Sequence, residues 1–156
     1  MTKESREIKI ANLAKNLEII LNNSNRKFLA LTTDTDSYNV MPLINEITNV
    51  YLSMGRKVAI LSYDDITKKI ENAGYFKLNI NDYNDTTIID KCENYDIVLI
   101  DAPNPLKTKH YLHLTHFCKD AVLVVKKWKS KVSNVEAIKE IAKDNDFNFL
   151  GVVYQN

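Results

Sequence analysis

Residues 27–62 read KFLALTTDTDSYNVMPLINEITNVYLSMGRKVAILS, and their reading decides the fold. Lys27–Thr33 (KFLALTT) is a short apolar run rich enough to form a buried strand, and the polar stretch Asp34 to Asn39 behind it reads as a loop. Leu43, Ile44, Ile47, Val50, Tyr51 and Met54 then recur at helical spacing until Gly55, which suits the left-handed turn that ends a helix. Lys57–Leu61 (KVAIL) is a second buried strand. Strand, loop, helix and strand in this order imply two parallel strands joined by a right-handed helical crossover.

The same alternation continues outward. Upstream, Ile10, Leu13, Ala14, Leu17 and Ile20 or Leu21 form one helical stripe, which Asn22, Asn23 and Ser24 break. Downstream, Asp64 or Asp65 is expected to cap a short helix through Ile66 and Ile70 that stops at Gly74. A short strand is expected near Phe76–Leu78 and a helix near Thr86–Cys92. Tyr95–Asp101 (YDIVLID), Ala121–Val125 (AVLVV) and Phe149–Tyr154 (FLGVVY) read as further buried strands. Between the last two, Ser133 and Glu136 have capping-box spacing and predict a helix start. The expected architecture is α/β: one three-layer domain over residues 1–156, with a mostly parallel sheet and helices on both faces. Ligands of such sheets bind at the carboxyl ends of the strands.

Composition narrows the function classes. With 21 Lys and Arg against 20 Asp and Glu, the net charge of +1 gives no general attraction for nucleic acid. Trp128 among Lys126, Lys127, Lys129 and Lys131 resembles a basic-aromatic binding mixture, but a solvated loop after a strand or a protein contact fits this charge balance better. No apolar run approaches the roughly 18 residues of a membrane span, so direct membrane insertion is not expected and a cytoplasmic location is. Cys92 and Cys118 have no zinc-type spacing and read as reduced structural thiols. His110, His113 and His116 lie near Cys118, yet at helical spacing Tyr111, Leu114 and Cys118 form the buried face and turn His113 and His116 to solvent, and Leu106–His116 reads as a helix. No metal site is expected there. Asp34, Asp36, Asp64 and Asp101 share the strand-end edge, where solvated or structural acids are the ordinary reading and a bound cation the less ordinary one.

The order of elements is that of a P-loop nucleotide-binding protein, and the chain resembles the MinD/ParA-type branch. It is most similar to the bacterial tyrosine kinases that partner polysaccharide co-polymerases in capsule and exopolysaccharide synthesis. Thr32 and Thr33 take the opening positions of that family's phosphate loop. Gly55 and Lys57 follow the helix as in the family, and Asp64 takes the second acid of its DxD segment. YDIVLIDAPNP from Tyr95 resembles the family's YDxVIIDTPP and places Asp101 at the Walker B acid. Leu150–Val153 with Asn156 resembles its closing LGxVxN, and Asn12–Leu17 (NLAKNL) its N-terminal RxLRTNL.

The departures fall on the nucleotide site. Asp34 and Asn39 stand where two glycines would be, Val40 where the Lys would be, and Met41 where the hydroxyl residue would be. Pro42 follows and has no N–H to offer an anion. Asp34 and Asp36 are expected to add negative charge where triphosphate sits. Ser62 replaces the first acid of DxD. The expectation is a catalytically inactive kinase-like or ATPase-like domain without a cofactor. It would serve as a protein-binding or regulatory component of capsule or exopolysaccharide biosynthesis. The resemblance implies a membrane polysaccharide co-polymerase or an intact kinase paralogue as partner, which would place the chain at the inner face of the membrane. The other readings are a residual nucleotide-binding kinase of the same family and a ParA/MinD-like positioning protein.

Overall fold

The computed structural model describes residues 1–81 and 85–156. In chain order the elements are α1 (Lys3–Asn23), β1 (Phe28–Thr33), α2 (Met41–Ser53), β2 (Val58–Ser62), β3 (Gly74–Lys77) and α3 (Asp85–Lys91). They continue with β4 (Ile97–Asp101), α4 (His110–Leu114), β5 (Asp120–Lys126), α5 (Val132–Asp144) and β6 (Asn148–Gln155). The sheet order is β3-β2-β4-β1-β5-β6, and every pairing is parallel where the sequence suggested a mostly parallel sheet.

The central strands are apolar along both faces because helices cover both. Leu29 and Leu31 of β1 join Leu99 of β4, Ile60 of β2 and Val122 of β5 in a core against α1 and α2. Ala30, Val98, Ile100 and Leu61 alternate to the other face and pack with Leu114, Phe117 and Cys118. Side chains alternate faces along a strand, so these continuous runs split into two cores on opposite sides of the sheet. Burial and its desolvation cost push the Cys118 thiol up to about 12, which keeps it protonated and inert.

Two helix ends show how local sequence sets direction. After α2, Gly55 has φ +79, its N–H bonds to the Leu52 carbonyl, and the Arg56 N–H bonds to the Tyr51 carbonyl. This double closure is a Schellman motif. Arg56 then pairs with Glu18 through two bonds of 2.8 and 3.0 Å, tying the turn to α1. The buried Tyr51 hydroxyl donates to the Ala14 carbonyl at 2.7 Å and joins the same two helices. In the second turn of α2, Glu46 is held by Arg6 at 2.7 and 2.9 Å, and Arg6 also donates to Gln155.

Several expectations fail locally. No helix forms over Ile66 to Ile70; the Ile70 N–H donates to the hydroxyl of Tyr75, five residues on, at 2.6 Å, a side-chain partner in place of a helical carbonyl. Gly74 opens β3 rather than closing a helix, and a Cβ there would meet the Tyr95 hydroxyl at 2.2 Å. The helix α5 starts at Val132, so Ser133 lies inside it and cannot serve as its N-cap. The helix expected across Leu106–His116 is reduced to the five residues of α4. Three-residue turns follow it, with the His116 N–H bonded to the His113 carbonyl and the Phe117 N–H to Leu114. His113 is buried, 3% exposed, instead of facing solvent, while Tyr111 is half-buried.

Candidate functional site

β4 lies beside β1, with Leu31 in register with Asp101, so the loop after β1 and the end of β4 meet at one sheet edge. β2 flanks β4 on its other side and sets Ser62 opposite Asp101. The chain runs from β1 outward to β2, returns to β4 and then passes to β5, which makes this edge the point where strand order reverses. An open cleft of about 480 Å³ lies there, lined by Asn39, Met41, Pro42, Asn45, Ser62, Asp64, Asp65, Ile66, Thr67, Lys68 and Asp101.

The start of α2 forms one wall. The Asn39 side-chain oxygen accepts the Met41 N–H at 3.0 Å, and Pro42 has no N–H at the next position. Val40 is 3% exposed and belongs to the core beneath α1 and α2, so its side chain turns inward and away from the cleft. An anion at a helix N-terminus needs free, converging N–H groups. Here one of the leading donors is taken by a neighbouring side chain and another is missing.

The opposite wall carries the acids. The Ser62 hydroxyl donates to Asp101 at 3.1 Å and accepts the Asp64 N–H at 3.1 Å. Burial raises the Asp101 carboxyl above the usual carboxylate range; the Ser62 bond opposes this, and the charge of Asp64 adds to it. Lys68 supplies a cation to the lining.

Two of the acids named from sequence stand elsewhere. Asp34 is 3% exposed, and its carboxylate accepts the Ser130 hydroxyl and, at 3.0 Å, the Lys131 N–H at the entry to α5. It does not line the cleft. Asp36 accepts from the Asn104 amide at 3.3 Å and lies 3.8 Å from the Lys107 ammonium. Asn39, Met41, Asp64 and Asp101 are brought together; Asp34, Asp36 and Val40 are not. Among the described residues no three His, Cys, Asp or Glu side chains converge as a metal-holding group.

Sequence reasoning missed a polar network beside the cleft. The Tyr63 hydroxyl and His113 Nδ1 are 2.7 Å apart, and the His110 ring stacks on Tyr63 at 4.4 Å. Burial raises the Tyr63 hydroxyl well above its usual range. Asn104 is also buried and shapes the segment after β4, since its side-chain oxygen accepts the Leu106 N–H. The only sequence signal for Asn104 is an Asn between two prolines, a common turn pattern.

No family model matches the chain, and no curated protein does. Solved structures do. The BceF tyrosine kinase domain superposes with a TM-score of 0.78 at 12% identity, covering 95% of this chain and 76% of that one. The kinase domain of the Escherichia coli tyrosine kinase ETK gives 0.74 at 12% identity, covering 94% and 75%. The MinD cell division protein of Aquifex aeolicus gives 0.63 at 17% identity, covering 81% and 68%. At these identities the likeness is one of fold: the chain has the α/β architecture of bacterial tyrosine kinase domains and of MinD. Among the described residues no helix is long and apolar enough to cross a membrane.

Proposed function

We propose that this chain is a kinase-like domain whose phosphate loop no longer binds nucleotide and which acts by binding protein, as a regulatory component of capsule or exopolysaccharide assembly. The observation that carries the reading is the start of α2. Asn39 occupies the Met41 N–H, Pro42 offers none, and Val40, at the lysine position, is packed into the core. On this reading the loss is one of donors and cation. It is not the acidic repulsion expected from Asp34 and Asp36, because those carboxylates are engaged elsewhere. The partner class, a membrane polysaccharide co-polymerase or an intact kinase of the same fold, follows from the resemblance and is part of the proposal.

Calorimetry with magnesium-ATP and magnesium-ADP tests it, with no specific binding expected. A Kd tighter than about 100 μM, roughly 5.5 kcal/mol, overturns the reading. It would favour the second reading, residual nucleotide binding, for which Lys68 and the open cleft between Asn39 and Asp101 speak. Val40→Lys should create no ATP binding, because the new ammonium starts inside the core. It should cost about 2–4 kcal/mol of stability instead.

A further inference from the structure

The edge strand β6 carries an unused interaction surface. Among the described strands β5 is its one neighbour, and it runs eight residues, Asn148–Gln155, without Lys, Arg, Asp, Glu or Pro. Natural edge strands are usually protected by shortness, inward charge or proline, and strands average about 5–6 residues. This one has none of those three, and its ladder with β5 carries one register irregularity, between Ala121 and Val122, that passes over Leu150. The Gln155 carbonyl accepts the Lys127 N–H at 2.8 Å, so Gln155 faces β5. Alternation along a parallel ladder then turns the main-chain groups of Tyr154 and Val152 outward, the Tyr154 carbonyl accepting the Gln155 side-chain amide at 3.2 Å. The side chains of the same two residues are 74% and 46% exposed.

We infer that β6 pairs with β6 of a second copy of this chain, antiparallel about a two-fold axis near Val152, joining two sheets into one. Identical strands complement each other in an isologous contact without any further sequence. Charge selects the antiparallel direction. Beyond the end of β6 stand the exposed Lys127, Lys129 and Lys131, with the buried Asp34 carboxylate at the Lys131 N–H, and before its start stand the exposed Asp144 and Asp146, offset by Lys143 and by Lys119, whose carbonyl accepts the Asn148 N–H. The two ends are roughly 23 Å apart at the rise of a strand, well beyond the screening length of about 8 Å. Parallel pairing would set the lysine clusters side by side. Antiparallel pairing keeps them at opposite ends, each facing a partner end where Asp144 and Asp146 are balanced by Lys119 and Lys143, and the neutral strand between them adds no repulsion.

Sedimentation velocity of the 156-residue chain tests this, with the expected species twice the 17.9 kDa protomer. Val152→Pro removes an N–H that ladder alternation turns away from β5 and is expected to abolish the dimer with far-UV circular dichroism unchanged. Should that variant misfold, Val152→Lys places a charge on the exposed edge and should give the same loss. Val152→Cys should form an intermolecular disulfide on mild oxidation, because opposite residues in such a pair lie within bridging distance. A chain that stays monomeric to about 100 μM overturns the inference. So does a dimer that survives both Val152→Pro and Val152→Lys with the fold intact. The outcome does not depend on nucleotide binding, so it leaves the proposed function to its own test.

Discussion

Replacing Asp34 by Ala removes the carboxylate that joins the loop after β1 to the entry of α5. The side chain is 3% exposed and receives the Ser130 hydroxyl and the Lys131 N–H. A hydrogen bond to a charged group contributes about 1.5–3 kcal/mol net. Both donors lie near solvent, Ser130 half-buried and Lys131 exposed, so water recovers part of the loss. We expect Asp34→Ala to cost about 2–3 kcal/mol, less than the two bonds taken separately. For a chain of this size that lowers Tm by roughly 5–10 °C. Urea denaturation followed by circular dichroism should show a lower midpoint with the slope unchanged. A double-mutant cycle with Ser130→Ala should return a coupling of about 1 kcal/mol. Asp34→Gly, which restores a residue suited to a phosphate loop, should lose as much stability and gain no affinity for ATP. A loss below about 0.5 kcal/mol, or no coupling to Ser130, would refute the assignment of Asp34 as a structural tether.

The partly buried carboxyl of Asp101 titrates above the usual range, chiefly through desolvation. A group of this kind supports the fold below its ordinary value near 3.9 and loses that support as pH rises through the raised one. Asp101→Asn should therefore be more stable than the native chain at neutral pH, with the difference vanishing near pH 4 and below; thermal melts across that range check it. Gly74→Ala should cost about 1–3 kcal/mol, because the added Cβ meets the Tyr95 ring edge. Tyr95→Ala in the same chain should make the Gly74 substitution nearly neutral in a denaturation series.

The strands β1, β2, β4 and β5 are legible because helices cover both faces of the sheet and leave continuous apolar runs. The neighbouring positions of β1 and Asp101 follow from the same topology. Elements that depend on distant partners are not legible. Side-chain bonds can also displace a helix locally: the hydroxyl of Tyr75, five residues on, takes the Ile70 N–H, and no apolar spacing announces it. His113 is polar and sits at a spacing that points outward, yet a bond to Tyr63, fifty residues earlier, accompanies its burial. Asp34 shows the same limit at the site itself: its charge looked aimed at a phosphate, but it answers a donor 97 residues away. β6 misleads in the opposite sense, since its apolar run reads as interior while Val152 and Tyr154 face solvent.

Trp128 is the one tryptophan of the chain, 89% exposed on a loop residue with φ +66. This makes the native protein an optical exception. Its emission should already lie near that of an indole in water, so unfolding of the core will move the spectrum very little. An anionic quencher drawn by Lys127, Lys129 and Lys131 should reach it more readily than a neutral one. A fluorescence experiment on this chain is thus a view of one surface, next to the end of β6, and stability has to be followed by a signal that comes from the sheet and helices.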